Sequence, residues 1–418
     1  MRRSSTILLV MLLASMFAAV RIISVQATGT IYIRADGSID PSTAPIQQVG
    51  CTYSFYDDVN GQIVVERDFI RIDGNGHLLE GSGSGNGIEL SGRRSVSISN
   101  LRIESFRFGI FLNDSSDNLL SGNNVSVNVV CGIFLYNHSD RNTICGNKAK
   151  ANFDAIYLYR SSGNTICGNA LSESGEEGIE TYVSSDNVIN GNDVTANKYG
   201  GISLLDSSGN NTISGNNVKN NTSGIWLYSY SDNNTVKANE VAGNYQGICL
   251  ESSSRNIVRE NAVTFNKYDG IVLDRASDSL VSQNNVSGNY RGIALRNSLN
   301  NKIFHNNIFN NTLQASSEES SCIWDDGYPS GGNYWSDYSG RYPDALEIDA
   351  SGIWDTPYII DARNRDGFPL MHVHIIPEFP SCFFLPLFVS VIVLATMAYR
   401  TKHRQFMKKR EQKLQPTA

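Results

Sequence analysis

Gly201-Ile202-Ser203-Leu204, Gly224-Ile225-Trp226-Leu227 and Gly247-Ile248-Cys249-Leu250 are three copies of one string, Gly-Ile-x-Leu, and the spacing of that string decides the fold. The series runs back through Gly178-Ile179-Glu180-Thr181, Ala155-Ile156-Tyr157-Leu158, Gly132-Ile133-Phe134-Leu135 and Gly109-Ile110-Phe111-Leu112 to Gly87-Ile88-Glu89-Leu90. It runs forward through Gly270-Ile271-Val272-Leu273 to Gly292-Ile293-Ala294-Leu295. The steps are 22 residues, then seven of 23, then 22. A fixed period of this length marks a solenoid, in which each unit buries its apolar edge against its neighbours.

Two further anchors recur within the period. One is Asn-x-Ile/Val, as in Asn142-Thr143-Ile144 and Asn211-Thr212-Ile213; the other is Gly-Asn-x-Val, as in Gly191-Asn192-Asp193-Val194 and Gly215-Asn216-Asn217-Val218. Every apolar segment is short and alternates with polar positions, which is strand periodicity, and no repeat holds a helical run. Three short strands per turn predict an all-β, right-handed, single-stranded parallel β-helix of about ten coils over residues 87–312. The asparagines at 123, 147, 169, 192, 216, 239, 261, 284 and 306 fall at one equivalent position. They are expected to serve the bends, where Asn tolerates the left-handed conformation, and to bond amide to amide from coil to coil.

Residues 1–27 read as a secretory signal peptide: Arg2 and Arg3, an apolar run, then Val25-Gln26-Ala27 as a small-residue cleavage site. Residues 28–86 are assigned to an N-terminal cap and first incomplete coils. Residues 313–376 form an aromatic-rich closing segment holding Trp324, Trp335, Tyr338, Trp354 and Tyr358. A Pro-rich spacer (377–381), an apolar stretch of membrane-helix type (382–399) and a basic tail (400–418) follow, and the positive charge places that tail in the cytoplasm. Formal charge is −7 overall; the leader holds three positive charges and the tail a net six, which leaves −16 on the exported part. Such a surface argues against nucleic acid as a partner. Asn-x-Ser/Thr acceptors for glycosylation occur at Asn113, Asn124, Asn137, Asn210, Asn220, Asn221, Asn233, Asn285 and Asn310. Cys145 and Cys167 stand at equivalent places on neighbouring coils, within disulfide reach.

Ile31-Tyr32-Ile33-Arg34-Ala35-Asp36-Gly37-Ser38, Ile72-Asp73-Gly74-Asn75-Gly76 and the coils that follow resemble secreted archaeal β-helix proteins of the NosD-like and pectin-lyase-like (carbohydrate-binding and sugar-hydrolase) families. Gly332-Asn333-Tyr334-Trp335-Ser336-Asp337-Tyr338 and Asp355-Thr356-Pro357-Tyr358-Ile359 resemble the segment that closes NosD-like helices, and Pro377-Glu378-Phe379 with the apolar run and basic tail resembles a PEF-CTERM surface-sorting signal. The resemblance speaks to fold more than to activity, since these families include enzymes, binding proteins and others. In relatives the closing segment carries an Asp/Gly-rich loop suited to calcium; here Asp344, Glu347, Asp349 and Asp355 remain as hard oxygen ligands without the tight alternating spacing. The NosD likeness also brings copper into view, with Met371, His372 and His374 as an incomplete donor set on an extended strand.

If Ile and Leu of Gly-Ile-x-Leu point inward, x and the residue after Leu point outward. The outward columns then carry Phe134, Tyr136, Tyr157, Tyr159, Tyr182, Trp226 and Tyr228, a strip of rings suited to sugar faces, so the expected partner is a polysaccharide or surface glycan. Asp154, Glu177 and Glu180 flank the strip with Arg160 nearby, and are the candidates for lyase or epimerase chemistry, in which a base abstracts a proton and a cation neutralises the uronate. The denser Asp, His and Arg-Lys signatures of polygalacturonase-like enzymes are missing, so binding or a structural role in the envelope is the first expectation, with a polysaccharide-modifying enzyme and a copper accessory protein as alternatives. No cofactor is required by the binding role. A further ring column, Phe153, Tyr199, Tyr245, Tyr268 and Tyr290, is expected to be a packing stack.

Overall fold

The computed structural model describes residues 29–375. The predicted signal peptide, spacer, membrane helix and tail lie outside them, and among the described residues no helix is long and apolar enough to cross a membrane. Residues 31–335 wind into a parallel β-helix with three long sheets of 14, 14 and 13 strands, and the rest of the described chain closes its C-terminal end. Sheet I collects the Gly-Ile-x-Leu strands, such as Cys131–Tyr136, Asp154–Tyr159, Ile179–Tyr182, Gly200–Leu205 and Ser223–Tyr228. Sheet II collects the Asn-x-Ile/Val strands, such as Thr143–Cys145, Thr165–Cys167 and Thr212–Ser214, and sheet III the Gly-Asn-x-Val strands, such as Asp193–Thr195 and Asn217–Lys219.

Like residues stack on like. Ile133, Ile156, Ile179, Ile202 and Ile225 are successive partners in sheet I, and all are fully buried. The stack is longer than about ten coils. Ile63–Val65 pairs in register with Ile88–Leu90, and Ile31–Ile33 pairs with Ile63–Val65 in turn. These early strands lack the Gly-Ile-x-Leu string but keep its inward apolar positions, Ile63 and Val65, and that suffices for stacking. At the other end Leu313–Glu318 continues sheet I and Tyr334–Trp335 continues sheet III.

The recurrent glycine answers to space. A Cβ on Gly201 would lie 2.6 Å from the Gly224 carbonyl oxygen and 2.5 Å from Val218 Cγ1. The glycine therefore points inward next to the inward Ile, which leaves the residue ahead of it facing out.

Three asparagine ladders, not one, run along the bends. The ladder predicted from Asn123 to Asn306 bonds Nδ2 to Oδ1 from coil to coil at 2.9–3.1 Å and continues to Asn333. A second includes Asn118, Asn142, Asn164 and Asn187, and a third includes Asn197, Asn221, Asn244 and Asn266. A serine column, Ser139, Ser161, Ser184 and Ser208, accepts backbone N–H groups in the same bend as the second ladder, between sheets I and II. The expected reason for the asparagines is corrected in one respect. The left-handed residue of the bend between sheets II and III is the one before the ladder amide, as at Gly146, Gly191, Ala238, Glu260 and Gln283. The ladder Asn itself satisfies buried backbone: Asn216 Oδ1 accepts from Asn192 N and Nδ2, and Asn216 Nδ2 donates to Asn239 Oδ1 and to the Ile189 carbonyl.

The closing aromatics seal the C-terminal end. Trp335 and Tyr358 stack with centroids 4.0 Å apart, and Trp324 and Tyr338 are buried beside them. Asp366, fully buried, accepts from Asn333 N at 2.7 Å and Trp335 Nε1 at 2.9 Å, so the ladder ends on a carboxylate. Of the expected packing column, Tyr245, Tyr268 and Tyr290 stack at 5.5–5.6 Å, whereas Phe153 and Tyr199 stand outside that stack and are exposed.

Replacing Asn216 by Ala strands donors and acceptors on three coils at once. Asn216→Ala should lower unfolding stability by about 3 kcal/mol, measured by denaturant titration. Asn190→Ala, on the exposed outward side of the neighbouring strand, should change it by less than about 0.5 kcal/mol.

Candidate functional site on the outward face of sheet I

The outward face of sheet I carries two features side by side. The first is a run of rings. Phe108, Phe111 and Phe134 touch one another with centroids 5.1–5.6 Å apart. Phe134 stacks on Tyr157 at 5.0 Å, and Tyr136, Tyr159 and Tyr182 stack in series at 5.4 Å. The series then breaks: the next positions in register are Ser203 after Glu180 and Leu205 after Tyr182. Trp226 and Tyr228 resume it one coil further on, 5.0 Å apart. In-register parallel pairing forces this arrangement, because residues one period apart must lie one strand spacing apart. Tyr136 and Tyr228 are exposed and the other five rings of the strip, Phe134, Tyr157, Tyr159, Tyr182 and Trp226, are half-buried against their neighbours.

The second feature fills the break. Asp154 and Glu177 each precede the inward glycine position and so face out, next to the column of Tyr157 and Glu180. One oxygen from each of Asp154, Glu177 and Glu180 lies within 4.8 Å of the others. Asp154 and Glu177 are only 5% and 8% exposed, low for carboxylates on an outer surface. Glu177 N–H donates to Asp154 Oδ1 at 3.1 Å. Burial raises the Asp154 carboxyl to about 6. Burial and then the Asp154 charge raise Glu177 to about 7, and burial with Asp154 and Glu177 raises Glu180 to about 8. Burial, and after it Glu180 and Asp154, pushes the Tyr157 hydroxyl up, and burial pushes the Cys131 thiol beneath Asp154 well up.

Other expected site residues are placed elsewhere. Arg160 lies over the Tyr159 ring at 5.3 Å, and does not enter the carboxylate group. Asp344, Glu347, Asp349 and Asp355 are not brought together: Glu347 accepts from Gly352 N and Asp355 from Leu346 N, so two of the four cap local turns. Among the described residues the only group of three acids, histidines or cysteines with metal-ligand spacing is Asp154, Glu177 and Glu180. Met371, His372 and His374 lie on irregular backbone, not on a strand, and His372 is exposed. His374 is drawn away by Asn307, which bonds its N–H and carbonyl, and its ring stacks on His305 at 4.5 Å. That pairing spans 69 residues of sequence and had no local signal. Asn221 is corrected as a glycosylation acceptor: it is buried in the third ladder, with its amide bonded to Asn244. Asn113, Asn124, Asn137 and Asn285 are half-buried and Asn210, Asn220, Asn233 and Asn310 exposed. Cys145 and Cys167 are disulfide-bonded, with Cα atoms 4.6 Å apart.

The raised carboxyl values set a pH dependence. The folded chain retains protons up to about pH 6–8, whereas unfolded Asp and Glu release them near their ordinary values of 3.8 and 4.5. Stability therefore falls as pH rises through that window. In the presence of a chelator, the melting temperature should drop by a few degrees between about pH 5 and pH 8, and Glu180→Gln should flatten the slope. An unchanged slope in Glu180→Gln would mean that Glu180 ionises as freely folded as unfolded.

The fold is similar to that of several solved structures. A double mutant of the periplasmic alginate epimerase AlgG is 17% identical, with 72% of this chain and 82% of that one covered and a TM-score of 0.49. The A-module of the Azotobacter vinelandii mannuronan C-5 epimerase AlgE6 is 14% identical, with 71% and 91% covered and a TM-score of 0.50. The catalytic domain of a GH87 alpha-1,3-glucanase is 15% identical, with 69% and 63% covered and a TM-score of 0.39. No curated protein sequence matches. The family model described as "Periplasmic copper-binding protein (NosD)" matches residues 78–221 and 201–340. These segments together take in more than half of the 418 residues, and the chain belongs to the NosD family.

Proposed function

We propose that this NosD-family β-helix is an exported protein of the cell envelope, held at the membrane by its C-terminal apolar stretch, that binds an extended saccharide along the outward face of sheet I. One observation carries the reading: rings from Phe108 to Tyr182 lie in contact along successive coils, and Trp226 and Tyr228 continue the line beyond the acidic break. Stacked flat rings with polar rims match the apolar faces and hydroxyl edges of successive sugar units. The rings of the closing segment are engaged at the end of the helix, Trp335 on Tyr358 and Tyr338 on Trp354. The family's periplasmic description is consistent with export.

A second reading, uronate epimerisation or elimination, is favoured by the carboxyl groups of Asp154 and Glu177, raised to about 6 and about 7, which suits a general base near neutrality. Copper fits the described residues poorly. The His305 and His374 rings are 5° from parallel, so their nitrogen lone pairs do not converge, and His305 Nε2 lies 2.9 Å from the Ser330 carbonyl oxygen. The carboxylate group offers oxygen donors, where copper prefers imidazole and thiolate.

The test is glycan-array binding by the full-length chain beside Tyr157→Ala/Trp226→Ala. The wild type should retain one sugar class, and the double variant should bind it about tenfold or more weakly, the loss of roughly 1.4 kcal/mol. A folded wild type that retains no glycan would sink the reading. Release of unsaturated ends from a uronate polymer, abolished by Asp154→Asn, would move the assignment to the enzyme.

A further inference from the structure

Asp269 stands in the same outward column as Asp154 and Glu177 and is fully buried. Arg291 grips it with Nε and Nη2, and Arg296 adds Nη2 at 2.9 Å. This is the expected treatment of a buried carboxylate: paired charge and filled lone pairs. Asp154, Glu177 and Glu180 have no such partner. The charges acting on them are their own and that of Glu176, and no arginine or lysine among the described residues pairs with any of the three. Once ionised, three carboxylates gathered on one spot without a cation repel one another, and the fold nevertheless gathers them.

A second and separate observation points into the same spot. Ser203, in register with Glu180, is 0% exposed although it belongs to the outward column, and its Oγ has no hydrogen-bond partner among the described residues. A Cβ built on Gly200 would lie 2.2 Å from Ser203 Oγ, 3.3 Å from Glu177 Cγ and 3.6 Å from Glu177 Oε1. The hydroxyl therefore stands in the open position over Gly200, which the Glu177 side chain borders from the neighbouring coil. Gly200 takes the place where Asp154 and Glu177 carry side chains on the preceding coils, and its missing side chain leaves room for both groups. A buried hydroxyl without a partner costs roughly 1–3 kcal/mol, and a ligand in the notch would supply the partner.

We propose that Asp154, Glu177, Glu180 and Ser203 Oγ form a binding site for one hard divalent cation, with calcium the ion that fits. All four donors are oxygens, which selects hard cations. Calcium–oxygen bonds are about 2.3–2.6 Å, so oxygens on opposite sides of one ion stand about 5 Å apart; the three carboxylate oxygens lie within 4.8 Å of one another. Magnesium bonds at about 2.0–2.1 Å in a strict octahedron and gives up its waters reluctantly, which suits it less to a site of several fixed protein oxygens. Calcium takes about six to eight oxygens, so four protein donors leave positions open to the outer surface between Tyr182 and Trp226. The site rests on the carboxylates and Ser203, not on saccharide binding, and its test contains no sugar.

The test is terbium luminescence of the full-length chain, with Tb3+ as the calcium probe and the tyrosine and tryptophan rings beside the notch as sensitisers. Tb3+ should give sensitised emission, which Ca2+ displaces at about tenfold or more lower concentration than Mg2+. Glu177→Gln/Glu180→Gln keeps side-chain shape, and should weaken Ca2+ about tenfold or more; Ser203→Ala should weaken it several-fold. Asp344→Asn/Glu347→Gln, in the closing segment, should leave it unchanged. Wild-type affinity in a folded Glu177→Gln/Glu180→Gln, or loss of the signal in Asp344→Asn/Glu347→Gln, would overturn the assignment. Absence of sensitised emission with no Ca2+ binding by calorimetry would also overturn it, and Mg2+ displacing as well as Ca2+ would overturn the choice of ion.

Discussion

In-register stacking of like on like is the constraint on which everything else depends. Each coil must present to the next the same hydrogen-bonding edge and the same side chains, or the sheets do not close. Buried isoleucines satisfy it in the core, and amides satisfy it at the bends. An amide is unusually suited to that work, because it donates and accepts at once and can repeat without end. The ladder from Asn123 to Asn333 is therefore both the bend's internal solvent and its ruler. Its last amide is received by Asp366, so the aromatic cap closes the hydrogen-bond accounting of the bend as well as covering apolar surface.

A scaffold this strict frees its outer face. The residues x of Gly-Ile-x-Leu and those flanking the string play no part in closing the coil, so they can vary without loss of fold. Rings occupy the column through Tyr157, then Glu180 and Ser203 replace them, then Trp226 returns. The carboxylates are placed where the same scaffold elsewhere supplies arginines, at Asp269. Function is read most directly from this contrast among the buried acids of one column, Asp269 neutralised and Asp154 and Glu177 not.

Much of the architecture was legible in the sequence, because the period is long, fixed and repeated through most of the chain. The outward strip and the acids beside it were legible too, since a parallel register converts sequence spacing directly into spatial order. What was hidden falls into two kinds. The early coils around Ile63 and Val65 and the third asparagine ladder were hidden because inward position, not a recurring string, defines them; the second ladder stood in view as the Asn of Asn-x-Ile/Val, but its stacking was not read from it. The His305–His374 stack, the dispersal of Asp344, Glu347, Asp349 and Asp355 and the burial of Asn221 were hidden because they depend on contacts or backbone paths that no periodicity reports. Arg160 shows the limit from the other side: closeness in sequence to Tyr157 placed it near the acids, but its backbone is left-handed and it turns to Tyr159 instead.

The central claim is that the break in the ring strip, between Tyr182 and Trp226, is where this molecule meets its ligands. It is tested most directly by a crystal structure of the full-length chain grown with calcium and an acidic oligosaccharide. An ion on the Asp154, Glu177 and Glu180 oxygens, with sugar rings laid along Tyr157, Tyr159 and Trp226, is the predicted result. A structure with both ligands bound on another face, and the notch closed by the protein's own side chains, would contradict it.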